Sequence, residues 1–146
     1  MNKPERAVKL FEKDCNCSQA VFSVFAPGLG LDRDTACAVS SGFGGGMGRM
    51  GGVCGAVTGA FMAIGLDRGR IEEGSGNDEA KERACQAIGE FVKQFTGRNG
   101  TIVCRDLIGC DLGTAEGCEE AEKRNVFTEI CPKLVRDAAE ILETLL

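Results

Sequence analysis

Histidine, tryptophan and tyrosine are absent from this chain of 146 residues, and phenylalanine, with eight copies, is its only aromatic type. Without imidazole there is no Ser/His/Asp or Cys/His nucleophilic pair and no histidine metal ligand. Basic charge is in deficit, 17 Lys and Arg against 22 Asp and Glu, a net charge of -5. Such a surface repels phosphate backbones, so nucleic acid is not expected as a partner. Long hydrophobic runs are also missing. The apolar stretch Val53 to Leu66 is broken by Gly55, Gly59 and Gly65 and falls short of the ~20 residues a membrane span needs, so no membrane insertion is expected. Neither a Walker sequence, HExxH, a nucleophile elbow nor any C-x-x-C pair occurs, which leaves hydrolases, zinc ribbons and ferredoxin runs without machinery.

Nine cysteines and twenty-one glycines are what the chain does contain. The charged, amphipathic N-terminal stretch has no apolar core of a signal peptide, which predicts a cytoplasmic protein. In that reducing compartment an odd number of cysteines points to thiol chemistry or metal binding rather than a disulfide scaffold. The length predicts a single domain, residues 1–146.

Helical periodicity recurs along the chain while strict alternation does not, which predicts an all-α domain of about five to seven helices with a glycine-rich loop. Pro4 to Lys13 carries the first apolar stripe. Asn16 and Gln19 form a capping box that puts Cys17 at the first position of a second helix. Asp32 or Asp34 caps a short helix through Ala36 and Val39. Half of the residues from Gly42 to Gly59 are glycine, and the small face of the helix that follows suits tight packing against another helix. Asn77 opens the longest helix, stopped at Gly97. Val103 to Ile108, Thr114 to Asn125 and the segment after Pro132 supply the remainder. The pattern Gly46-Met47-Gly48-Arg49-Met50-Gly51 matches G-x-G-x-x-G, but a helix rather than a strand precedes it, so the glycines are read as structural or pocket-lining. Arg49 remains a candidate partner for an anion.

Four cysteines, Cys17, Cys54, Cys104 and Cys131, fall at or near predicted helix N-termini, where free amides and the helix dipole favour a thiolate. Four such anions would repel one another without a cation between them, which predicts that they converge on a metal or cluster. Cys37 and Cys85, among alanines and apolar residues, read as packing residues. Cys15 and Cys110 are candidate accessory thiols, and Cys118 has no assigned role. Gly45, Gly46, Gly52, Gly55 and Gly59 are expected to line the same pocket, their amides free to reach sulfur.

Cys17 in Asn16-Cys17-Ser18-Gln19, the glycine stretch leading to Cys54-Gly55-Ala56-Val57-Thr58-Gly59, Cys104 in Cys104-Arg105-Asp106-Leu107, and Cys131 before the closing helix together resemble the C-GCAxxG-C-C family of redox-active proteins. The likeness covers nearly the whole chain. The family label spells Gly-Cys-Ala where this chain reads Cys54-Gly55-Ala56. Redox activity without a defined substrate is what the resemblance implies. Covalent haem needs C-x-x-C-H, so no haem is expected.

Three functions are consistent with these features. The leading one is an iron–sulfur electron carrier that uses all four cysteines and an unidentified redox partner protein. The second is a metal-free dithiol oxidoreductase or redox sensor, with a pair such as Cys17 and Cys54. The third is a structural zinc module for protein interaction. Assembly into a homo-oligomer is compatible with each.

Overall fold

The computed structural model describes all 146 residues, Met1 to Leu146. The chain is all-helical, with nine α-helices: α1 Lys3–Lys13, α2 Cys17–Phe25, α3 Arg33–Ser40, α4 Gly55–Arg68, α5 Asn77–Asn99, α6 Cys104–Ile108, α7 Ala115–Lys123, α8 Val126–Glu129 and α9 Cys131–Leu145. A single 3-10 turn, Pro27–Leu29, follows α2. The number exceeds the expected five to seven because two very short helices, the five-residue α6 and the one-turn α8 with its buried Val126, add to the seven longer ones. No strand forms; the only β pairing is an isolated antiparallel bridge between Val53 and Val103.

Helix ends follow local chemistry. Asn2 and Glu5 make a capping box on α1, and Asn16 and Gln19 make one on α2. Asp32 caps α3 by accepting from the Thr35 amide at 3.0 Å. α5 begins at Asn77 itself, so that Gly76 rather than Asn77 is the cap, and it runs through Gly97 to a left-handed Gly100. Gly97 is exposed and costs the helix only about 1 kcal/mol, whereas Gly100 supplies the positive φ of 85° that ends it.

α2, α4 and α9 form the centre of the bundle, with α1 packed on α9 and α2, and α5 on α4 and α9. Gly59 is what lets α2 and α4 meet: a Cβ there would stand 2.6 Å from the Ser18 carbonyl oxygen. Ala56, Ala60 and Ala63 continue the small face and are fully buried. Val21, Val57, Ile64, Phe91, Phe95, Ile141 and Leu142 fill the core, each large side chain worth roughly 1.5–3 kcal/mol in burial. Phe91 stacks on Phe95 with centroids 5.9 Å apart and meets Phe61 edge-on at 6.1 Å. A smaller apolar cluster, Cys104, Ile108, Cys110, Leu112, Ala121, Val126 and Cys131, lies beside this core. It holds α6, α7 and α8 against the start of α9.

Candidate functional site: a cavity lined by cysteines

Between the two apolar clusters lies a cavity of about 770 Å³ whose wall includes Cys17, Cys54, Cys104, Cys118 and Cys131. These thiols come from five separated segments, and their meeting point is set by local structure. Asn16 fixes Cys17: its Oδ1 accepts from the Gln19 amide at 2.9 Å, and Gln19 Oε1 accepts from the Asn16 amide at 3.0 Å. Cys54 is the N-cap of α4. Cys104 is brought beside it by the Val53–Val103 bridge, in which the Cys54 amide donates to the Ile102 carbonyl at 2.8 Å and the Cys104 amide donates to the Gly52 carbonyl at 2.6 Å. Cys131 opens α9 one residue before Pro132.

The glycine loop forms one side of the cavity through Gly44, Gly45, Gly48 and Arg49. It doubles back on itself, with the Gly51 and Gly52 amides donating to the Gly45 and Gly46 carbonyls at 3.1 and 2.8 Å. Gly45, Gly46, Gly48 and Gly51 all take positive φ, between 60° and 74°. Of the glycines expected to line the pocket, Gly45 does so. Gly46 and Gly55 stand directly against cysteine side chains instead, and Gly52 meets Cys104 only through its carbonyl. A Cβ at Gly46 would lie 2.7 Å from Cys104 Cβ, and one at Gly55 would lie 2.8 Å from Cys17 Sγ. Gly59 belongs to the α2–α4 packing described above.

Burial, not the helix terminus, governs the acidity of these thiols. Burial pushes the Cys17 thiol up, against the opposing pull of backbone amides of Gly45, Cys17, Ser18 and Ala56. Cys54 is pushed far above the ordinary thiol range by burial and then by the neighbouring Cys17. Cys104 is raised to about 11 by burial and then by Cys17, with Arg105 acting the other way. Cys131 is raised to about 12 by burial, then by Cys17 and Cys104. Cys17 is thus electrostatically coupled to the other three.

Two expectations from the sequence are corrected here. The four cysteines were expected to be thiolates needing a cation, but desolvation holds them protonated, and neutral thiols exert no such repulsion. Second, no three cysteine, aspartate or glutamate side chains come together as a set able to hold a metal ion. The iron–sulfur cluster, electron carriage through it, and the zinc module are overturned by that geometry. Facing one cavity is a weaker condition than reaching one ion, which requires every sulfur within about 2.3 Å of it. All nine cysteines are free thiols.

The remaining cysteines distribute differently from the sequence reading. Cys110 is buried in the smaller cluster, 3.4 Å from an Arg124 guanidinium nitrogen, and does not reach the cavity. Cys15 lies outside it too, facing a smaller depression shared by Phe11 and Phe127. Cys118 does reach it, and its thiol donates to the Leu112 carbonyl at 3.2 Å. The signal for Cys118 was its spacing of three from Ala121, the buried residue of α7. Cys85 is exposed on α5, so the packing role assigned to it is wrong: the helix turns it away from the core that Ala87 and Phe91 enter. Cys37 is half-buried.

Arg49 is the only basic residue of the cavity wall and Glu122 the only acidic one; both are exposed at its rim. Arg49 holds a positive φ of 68°. No helix of the chain is long and apolar enough to cross a membrane.

No curated protein and no solved structure matches the chain. A family model does, over residues 15–145, which takes in every cysteine and the whole glycine loop. The chain therefore belongs to the C_GCAxxG_C_C family, described as "Putative redox-active protein".

Proposed function

We propose that this protein is a metal-free thiol–disulfide redox protein in which Cys17 and Cys54 cycle between dithiol and disulfide. The observation that carries the reading is the convergence of five free thiols, Cys17, Cys54, Cys104, Cys118 and Cys131, on one cavity. Cys17 is half-buried, whereas Cys54, Cys104 and Cys131 are between 3% and 8% exposed. We assign it the first attack because it is the most exposed of these four residues. The cavity, at about 770 Å³, falls within the ~300–1,000 Å³ typical of small-molecule sites.

The reaction balances as a two-electron exchange. Cys17 Sγ loses its proton and attacks one sulfur of a substrate disulfide; that S–S bond breaks and the first thiol departs, taking a proton. Cys54 Sγ then attacks Cys17 Sγ, the mixed disulfide breaks, and the second thiol departs with the proton Cys54 gave up. The substrate is reduced, the protein dithiol is oxidised, and an external dithiol restores it. Amides around Cys17 stabilise negative charge as it develops on sulfur, the service a preorganised donor set gives any forming anion. We place the protein in the cytoplasm, a compartment reducing enough to keep nine cysteines as thiols.

In a background with Cys15, Cys37 and Cys85 changed to serine, reduced protein mixed with a small aromatic disulfide should release two thiols per chain and yield a Cys17–Cys54 cross-link on peptide mapping. Cys17→Ser should lower the rate at least 100-fold, and Cys54→Ser should trap the substrate on Cys17. Because burial keeps Cys17 protonated, the rate should climb about tenfold per pH unit from neutrality upward, following the thiolate fraction. A folded Cys17→Ser protein that reacts as fast as the unaltered chain sinks the reading. Turnover with excess dithiol marks an oxidoreductase; a single stoichiometric event marks a sensor.

A further inference from the structure

A second thiol pair lies outside the cavity. Cys15 sits in the bend between α1 and α2, its amide donating to the Leu10 carbonyl at 3.0 Å. Cys37 is the fifth residue of α3. Two side chains of the α2 cap pull α3 onto this bend: Gln19 Nε2 donates to the Cys37 carbonyl at 3.0 Å, and Asn16 Nδ2 donates to the Ser41 carbonyl at 2.9 Å. Held this way, Cys37 stands near enough to Cys15 to push its thiol up, after the larger effect of burial. Both residues are half-exposed, so a small molecule can reach them. Neither belongs to the four cysteines of the family pattern.

We propose that Cys15 and Cys37 are a second redox-active dithiol, a surface modification site that closes to a disulfide by exchange with a small-molecule disulfide such as oxidised glutathione. One thiol attacks the incoming disulfide and forms a mixed disulfide, releasing one glutathione thiol. The other thiol attacks that mixed disulfide and releases the second. The protein loses two electrons and two protons, and the small disulfide gains them. Closure needs the two sulfurs to approach to the S–S length of about 2.05 Å, and the two cap bonds that hold α3 on the bend shorten that path. Asp14, whose Oδ1 lies 3.8 Å from Cys15 Sγ, and Arg33 flank the pair with opposite charges.

The link has a consequence for the cavity. α3 runs through Ser41 straight into Gly44, Gly45, Gly48 and Arg49, and all of these line it. A covalent tie between Cys37 and the residue two before Cys17 therefore restrains one wall against the other. Oxidation at the surface makes the cavity wall stiffer and leaves its thiols chemically unchanged.

Peptide mapping separates this site from the cavity. Trypsin cuts after Lys13, Arg33 and Arg49, so Cys15 and Cys17 share one peptide and Cys37 stands alone in the next. In Cys17→Ser, a cross-link between those two peptides can only be Cys15–Cys37. After incubation of that full-length variant in a glutathione redox buffer, the linked pair should dominate, and its thermal midpoint should rise by several degrees. Cys17→Ser/Cys37→Ser should show neither change, with glutathione retained on Cys15. If Cys17→Ser does not fold, fragment spectra of the unaltered chain distinguish Cys15 from Cys17 within the shared peptide. Cys15 and Cys37 remaining free in folded protein, or pairing with other cysteines, overturns the proposal. The reading of Cys17 and Cys54 fails independently, by absence of their own cross-link.

Discussion

Two glycines bear directly on where sulfur can sit. Gly55 lies so close to Cys17 that a methyl group there would stand 2.8 Å from Sγ and 3.1 Å from the Ser18 amide nitrogen. Gly46 combines a positive φ of 70° with a Cβ position 2.6 Å from the Gly52 nitrogen and 2.7 Å from Cys104 Cβ. Gly46→Ala therefore meets both backbone strain and overlap with atoms that cannot swing away, and should cost on the order of 3 kcal/mol. Denaturant titration checks this, with Gly42→Ala, where an added Cβ finds nothing within 4 Å, as the near-neutral control. Gly55→Ala should instead shift Cys17 and change its alkylation rate more than it changes stability. The close approach at Gly55 gives a local steric use to Cys54-Gly55-Ala56, the point where this chain departs from the spelling of its family label.

At the scale of elements, the α2 cap does more than begin a helix. Asn16 accepts from the Gln19 amide and donates to Ser41, and Gln19 accepts from Asn16 and donates to Cys37. One reciprocal cap thus orients Cys17, anchors α3 and sets the start of the glycine loop. Asn16→Ala removes an N-cap worth about 1–2 kcal/mol and the tether to Ser41 with it. Cys17 alkylation should become several-fold faster, while Asn2→Ala, at the equivalent cap of α1, should lower stability without touching Cys17. Parallel stability and alkylation measurements on the two variants test the distinction. The isolated Val53–Val103 bridge plays a matching role for Cys54 and Cys104. The segment just ahead of α6 is too short for a sheet, and a single bridge is what it makes. That bridge joins positions 50 residues apart, and nothing local in either segment announces its partner.

For the molecule as a whole, the buried thiols link stability to alkaline pH. Cys104 and Cys131 titrate near 11 and 12 when folded, against an ordinary value of 9.0. Below pH 9 both states keep these protons and the full stability is present. Above it the unfolded chain releases them first, so stability falls as pH rises through 9 and goes on falling to the folded values. The slope should reach on the order of 1 kcal/mol per pH unit for each buried thiol. Urea unfolding at pH 8, 9 and 10 measures it. Cys131→Ala, compared with the unaltered chain, should flatten the dependence above pH 9 even though the cavity enlarges. An unchanged slope in that variant would show that other groups control alkaline unfolding.

Helical class, most helix starts and the absence of any sheet were legible in the sequence because they depend on neighbours within one or two turns. Asn16-Cys17-Ser18-Gln19 states its cap outright, and the small residues of α4 state that another helix must come close. Acidity, metal capacity and the membership of the site were not. Helix position alone argued for thiolates; tertiary burial removed the water that a thiolate needs and reversed the direction. Cys85 shares an alanine-rich helix with the core yet faces solvent, while Cys118, on a charged helix, faces the cavity, since a rotation of one helix about its axis decides which side is covered. Cys37 is held near Cys15 by two cap side chains that reach across to α3. Local chemistry determined the elements and the presence of reactive sulfur; long-range packing decided which sulfurs meet, how deeply they lie and whether any ion could join them.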